Sequence, residues 1–314
     1  QFVWAVPYEG GAKATIELEV PHIQRRTSDV PKGVVPNGTT HLTIGIDVGK
    51  YLCWYAAIAW REGAAGQVID YGAIEVPSKD LGEERALYSA LRGFRDDLVL
   101  EGYAAAGGEL RRPDLVLVDS GYQTDIVYRV VSEVQSPLVA AKGYGATQSR
   151  VSSQRSAASY SRPASLTKRV KATGQEWHIT RLDAANLLLF ELNADHWKGY
   201  WQRRLLADPV SPGAVVLYQA DPRDHLVFAK HQVAEREVQE FVPGKGMVSR
   251  WEQTNRNNHL LDACTLASVA GAASGVQLVA PDRSERVEPR RKPDRRGQSR
   301  RRRGGWLQGG GALR

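Results

Sequence analysis

The chain has only two cysteines, Cys53 and Cys264, and one methionine, Met247, among 314 residues. Two thiols cannot build a disulfide framework or a zinc cage. Both sit in apolar runs, so buried free thiols and a reducing, cytoplasmic compartment are expected. No stretch reaches the ~18 uninterrupted apolar residues of a membrane span, and no secretory signal is recognisable. The phosphate-cradling pattern Gly-x-x-x-x-Gly-Lys-Ser/Thr is missing, and Gly244-Lys245-Gly246 is too short to replace it. There is no Gly-x-Ser-x-Gly elbow and no Cys/His nucleophile pair, so covalent catalysis has no support. His225 with His231 does not have zinc spacing. The sequence starts at Gln1 and its sole methionine comes late, so a piece of a longer protein is expected.

Net charge is small in the body and concentrated at one end. The whole chain carries +7, but residues 282–314 alone hold 12 Lys/Arg against 4 Asp/Glu. The remainder is close to neutral, so the basic character belongs to the terminal segment. Its clusters, Arg290-Arg291-Lys292, Arg295-Arg296 and Arg300-Arg301-Arg302-Arg303, lie among Pro, Gly and Ser with few apolar residues. Such a composition cannot support a core of its own, and a disordered basic tail over 281–314 is expected. It would add salt-dependent, sequence-blind affinity for phosphate backbones; a merely solubilising terminus is the other reading.

The organisation expected upstream is a Pro/Gly-rich connector over 1–40 and one domain over 41–280, long enough for a substantial core. Strands are expected at His41–Asp47, Tyr51–Arg61 and Gln67–Val76, with a tight turn at Val48-Gly49-Lys50. Leu87, Leu91, Phe94 and Leu98 have the spacing of a half-buried helix over Leu81–Glu101. Leu115–Val118 is a wholly apolar run suited to a buried central strand, followed by a helix over Thr124–Val134. A Ser/Arg-rich surface loop or flap is expected at Gln148–Lys171, then a strand at Trp177–Ile179. A long helix over Asp183–Leu206 and a strand at Ala214–Leu217 come next. Further helices are expected at His231–Glu240 and Leu260–Ala273, with a strand at Met247–Gln253 between them. Strands first, then alternating helices and strands, predict an α/β fold with a mixed sheet and flanking helices.

Three acids stand out against this frame. Asp47 ends His41-Leu42-Thr43-Ile44-Gly45-Ile46-Asp47, and Asp119 ends Leu115-Val116-Leu117-Val118-Asp119. Asp262 lies in Asn257-Asn258-His259-Leu260-Leu261-Asp262, the start of a helix. Carboxylates at the ends of two central strands and one late helix repel one another unless cations neutralise them. Two cations there would activate a water and stabilise the leaving oxygen of a phosphodiester. Ordinary roles stay open beside this one: a turn residue at Asp47, a helix cap at Asp119, a partnered buried acid at Asp262. His259 is three residues before Asp262 on nearly the same helical face, a candidate for supporting the site or capping the helix. Lys142 and Arg250 are candidate phosphate contacts, each equally readable as a solvated side chain. Trp251 reads as core.

Four blocks carry a resemblance. They are Val30-Pro31-Lys32-Gly33-Val34-Val35-Pro36-Asn37-Gly38 leading into Leu42–Val48; Val118–Thr124 with Val127-Tyr128; Leu226–Arg236; and Trp251 followed by Asn258–Asp262. In this order they resemble the nuclease domain of the phage terminase large subunit, lambda-type branch. The resemblance implies a ribonuclease H-like fold and a metal-dependent endonuclease cutting double-stranded DNA during phage genome packaging in the bacterial host cytoplasm. It places the catalytic, metal-binding acids at Asp47, Asp119 and Asp262, with two Mg²⁺ or Mn²⁺ ions. It names the small terminase subunit, the portal and an ATPase motor domain as partners, the last without counterpart in this sequence. His259 stands where many members carry glutamate, and the Ser/Arg-rich loop has no counterpart. Two other readings remain: a junction resolvase or transposase of the same fold, and a non-catalytic DNA-binding prophage remnant.

Overall fold

The computed structural model describes residues 13–14, 17–134, 136–145, 160–242, 244 and 246–277. Its centre is a ten-stranded mixed sheet. In chain order the strands are β1 (Thr27–Pro31), β2 (His41–Asp47), β3 (Leu52–Trp60), β4 (Gly66–Glu75), β5 (Leu115–Asp119), β6 (Leu138–Tyr144), β7 (Val170–Gly174), β8 (Trp177–Leu182), β9 (Leu187–Asn193) and β10 (Val215–Gln219). Across the sheet they run β7-β8-β9-β6-β5-β2-β3-β4-β10-β1. The parallel block β2, β5, β6, β9 is flanked by the antiparallel meander β2-β3-β4 on one side and the β9-β8-β7 hairpins on the other.

Helices cover both faces, which is why the central strands are apolar at nearly every position. Period-two alternation sends Leu42, Ile44 and Ile46 of β2 to one face. There they pack with Leu87, Leu91 and Phe94 of α2 (Glu83–Phe94) and Val127, Val130 and Val131 of α3 (Thr124–Ser132). The other face receives α4 (Ala194–Leu206), α5 (Leu226–Gln232) and α6 (His259–Ser274), through Trp197, Trp201, Phe228, Leu261 and Leu266. Helix α6 is buried on almost every side, so its apolar residues run all round it instead of forming one stripe. Each fully buried Leu, Val or Phe contributes about 1.5–3 kcal/mol. Gly275, at φ 105°, ends α6 in the left-handed conformation that glycine adopts without strain.

The tightest seating of helix on strand is at Gly45. A Cβ there would lie 2.0 Å from the Ala263 carbonyl oxygen and 2.6 Å from the Ala267 nitrogen. Thr43 adds a hydrogen bond from its hydroxyl to the Ala267 carbonyl at 2.8 Å. The chain thus seats α6 directly on β2. A hairpin, β11 (Glu235–Val242) with β12 (Gly246–Gln253), stands apart from the large sheet and begins beside the α6 N-terminus.

Three expectations need correction. Val20–Val35, read as connector, holds a short helix, α1 (Val20–Gln24), edge strand β1 and a two-residue strand, Val34–Val35. Ile23 and Val35 are buried, which anchors the segment despite its weak periodicity. Asp183–Leu206 is not one helix. A turn with Asn186 at φ 49° leads into β9, and only Ala194–Leu206 is helical. The run Leu187–Leu192 fills the slot beside β6, and Asn193 then caps α4 by accepting the His196 backbone N–H at 3.2 Å. His231–Glu240 is likewise split, with helix only to Gln232 and strand β11 from Glu235. Residues 148–159, half of the Ser/Arg-rich loop, and all of 281–314 lie outside the described residues, and the loop's last two residues, Val170 and Lys171, open β7.

Candidate active site

Alternation decides where the acids point. Val116 and Val118 of β5 pack toward α2 and α3, so Leu117 and Asp119 face α6, as Thr43, Gly45 and Asp47 do on β2. The strands are parallel and in register through Ile46 and Val118, so Asp47 and Asp119 emerge side by side at their C-terminal ends. The seating of α6 on Gly45 brings Asp262, in its first turn, over the same end. All three acids line one cleft of about 290 Å³. Asp195, Lys198, Glu235, Asn258, Thr265 and the backbone at Gly143 and Gly145 form part of its wall.

Each acid has its own supports. Nδ1 of His259 donates to Oδ2 of Asp47 at 2.8 Å, and the imidazole stacks on Trp54 at 6.0 Å with an interplanar angle of 2°. Asp119 accepts the Gly121 backbone N–H at 3.3 Å. Asp262 takes the Lys198 ammonium on Oδ1 and the Asn258 amide on Oδ2, both at 2.8 Å. Lys198 also reaches Oε2 of Glu235 at 2.8 Å, and Asn258 donates to the same carboxylate's other oxygen. His231 accepts the Leu260 backbone N–H at 3.3 Å, satisfying one of the orphan donors of the α6 N-terminus.

Burial and like charge set the electrostatics. Burial first, then the neighbouring Asp47 and Asp262, push the Asp119 carboxyl up to about 7. Asp47 is also raised, by burial and by Asp262, against the pull of the His259 hydrogen bond. That bond to Asp47 raises the His259 pKa. Burial, helped by His259, lowers His231 to about 4, so it stays neutral and free to accept from α6. Lys198 is penalised by burial, yet Asp262 and Glu235 more than offset this and hold it charged.

Residues 2–283 match the family described as terminase large subunit gpA, endonuclease domain. The chain belongs to this family. Membership makes it an endonuclease domain, a hydrolase that acts on DNA. The comparison with curated proteins found no match. Among solved structures it is similar to T. thermophilus RuvC in complex with a Holliday junction substrate, with 12% identity and a TM-score of 0.24. That match covers 32% of this chain and 63% of the RuvC chain, under two thirds of its length. It is also similar to a mutant nuclease domain of the large terminase subunit gp2 of bacterial virus Sf6, with manganese and beta-thujaplicinol. Here identity is 11%, the TM-score is 0.40, and 80% of this chain and 96% of that one are covered.

The terminase domain has the mixed sheet with flanking helices expected of a ribonuclease H-like fold. Its core strands lie in the order third, second, first, fourth, fifth (β4-β3-β2-β5-β6), with β3 antiparallel to both neighbours. No helix among the described residues is long and apolar enough to cross a membrane. Cys53 and Cys264 are free and buried, and burial pushes the Cys53 thiol up to about 12.

The other candidate residues scatter. Lys142 shares its face of β6 with Leu138 and Ala140, directed toward α3, while Gly143 next to it lines the cleft. Its ammonium lies 5.9 Å from the Tyr144 ring centre. Arg250 is half-buried on β12, opposite Val238, and Trp251 is buried. Arg300, Arg301, Arg302 and Arg303 lie outside the described residues. Sequence reasoning missed Lys198, Glu235 and Asn258 as site residues. One signal was present: Lys198, Trp201, Gln202 and Leu205 follow i, i+3, i+4, i+7 spacing, which puts a lysine on the apolar stripe of α4.

Proposed function

We propose that the terminase domain cuts double-stranded DNA by metal-assisted hydrolysis. Asp47, Asp119 and Asp262 would be the catalytic ligands of two Mg²⁺ or Mn²⁺ ions. One observation carries this reading: two adjacent, half-buried strand-end carboxylates face a third acid across a single cleft. The donor set fits. It offers carboxylate oxygens, the ligands hard divalent cations take, and Asp119 is held back from ionising by burial and its neighbours' charge. Among the described residues no three acidic, histidine or cysteine side chains are yet grouped so that they could hold a metal ion. Asp262 is turned to Lys198 and Asn258 instead. Bound divalent ions would supply charge neutralisation, activation of a water and stabilisation of the departing 3′ oxygen.

The chain's own groups do the rest. His259 fixes one oxygen of Asp47 and is itself held flat by Trp54, which leaves the carboxylate little rotational freedom. His231 and Asn258 anchor the start of α6 and so the position of Asp262. Arg250 and the run Arg300–Arg303 would contact phosphates, which positions DNA without reading its sequence. Lys142, on the opposite face of β6, would not reach a scissile phosphate held in the cleft. Site selection would then come from the small terminase subunit, the portal and an ATPase domain.

Plasmid cleavage tests the proposal. The domain should nick or linearise supercoiled DNA with Mn²⁺ or Mg²⁺ and stop in EDTA. Asp47→Ala and Asp262→Ala should each lower the rate by at least about a hundredfold, with plasmid binding retained. Cutting that survives EDTA or either substitution overturns the assignment.

A further inference from the structure

Lys198 is the unusual group in the cleft. It sits in the second turn of α4 with a side chain only 10% exposed, and Glu235, its partner at 2.8 Å, is 5% exposed. A buried ammonium is tolerated only when paired, and this one is paired twice, to Glu235 and to Asp262. Asn258 donates to the same two carboxylates. Four side chains from α4, β11 and the start of α6 thus form a closed ring around one positive charge. That charge lies on an oxygen of the acid expected to ligate metal.

We propose that Lys198 is a resident counter-ion that competes with the metal for Asp262, with Glu235 as the alternative partner that draws it off. The inference rests on the metal reading given above. Without metal, the ammonium neutralises Asp262 and lets three acids share one cleft without forcing the strand ends apart. For Asp262 to act as a ligand, the attraction of a divalent ion must exceed that of the ammonium, and the lysine then rests on Glu235 alone. Both residues are positioning residues, because they act through Asp262 and not on DNA. The pair sets a metal threshold: a weak or singly occupied site leaves Asp262 held by the protein.

Mn²⁺ binding by titration calorimetry, with metal-induced thermal shifts, tests this in the whole chain. Lys198→Met should bind Mn²⁺ at least about tenfold more tightly than the parent, and Glu235→Gln should bind it more weakly, since the lysine then leans wholly on Asp262. Lys198→Met leaves Glu235 unpaired and risks misfolding, so the double variant K198M/E235Q, which removes both charges, is measured in parallel and should also bind more tightly. A purely structural role predicts equal or weaker binding in all three, and that result overturns the inference. No Mn²⁺ binding by the parent would instead sink the metal reading itself.

Discussion

Asp119 shows how a single side chain couples stability to function. Its carboxyl ordinarily titrates near 3.8, but in the folded domain it holds its proton up to about 7. Between those values the folded state binds more protons than the unfolded one. The contribution of Asp119 is therefore complete below about pH 4 and is lost as pH rises through about 7. His259 has the same sign, because a histidine raised by a carboxylate stabilises the fold until its own folded pKa is passed. In EDTA, the melting temperature should fall from about pH 6.5, where the lowered histidines such as His231 are already neutral in both states, to about pH 8. Asp119→Asn should flatten that slope and melt higher than the parent at the alkaline end. Equal slopes in the two proteins would show that burial of Asp119 is not the cause. At this scale the sequence showed the acids and their neighbour His259, but not Asn258 as part of the site. It did not show Lys198 and Glu235 as their partners, because that ring joins residues 198, 235, 258 and 262 from three elements.

At the scale of elements, the join between β2 and α6 governs the site. Gly45 has room for a hydrogen and nothing larger, and what a side chain would strike is backbone, which cannot swing away. Gly45→Ala should cost about 3 kcal/mol in urea denaturation, the upper end of ordinary overpacking. Cleavage should drop further than the folded fraction does, because Ala263 lies next to Asp262. A change below about 1 kcal/mol would mean that α6 slides freely over the strand. The β2-β3-β4 meander and helices α2, α3 and α6 were legible, since local alternation or helical spacing agrees with their final surroundings. The two misread segments share one physical reason. Leu187–Leu192 and Glu235–Val242 become strands only because a partner waits for them, β6 for the first and β12 for the second. Leu187–Leu192 is an apolar run with no period that tells a buried helix from a buried strand, and Glu235–Val242 is mostly polar, so neither carries a local pattern that fixes its state.

Across the whole molecule, charge is divided between a nearly neutral body and the terminal segment with its 12 basic residues. DNA affinity and DNA cleavage should therefore be separable. Removing residues 281–314 should weaken binding to a linear duplex at low salt, measured by fluorescence anisotropy. It should also flatten the dependence of log affinity on log salt, by about 0.9 for each phosphate that the segment had neutralised. Cleavage at saturating DNA should be unchanged, because the acids sit in the body. An unaltered salt slope would show that DNA is held by the body alone.

The sequence by itself determined the elements with strong local pattern, the chemical identity of the three acids, and the separation of charge from core. These are short-range or compositional properties, carried by neighbouring residues whatever the chain does elsewhere. The tertiary structure alone decided which strand lies beside which, and so that Asp47 and Asp119 emerge as neighbours. It also decided that Lys142 turns to the far face of β6, and that a lysine from α4 reaches the acid of α6. Those outcomes depend on pleat, register and the close approach at Gly45, which link residues more than two hundred positions apart.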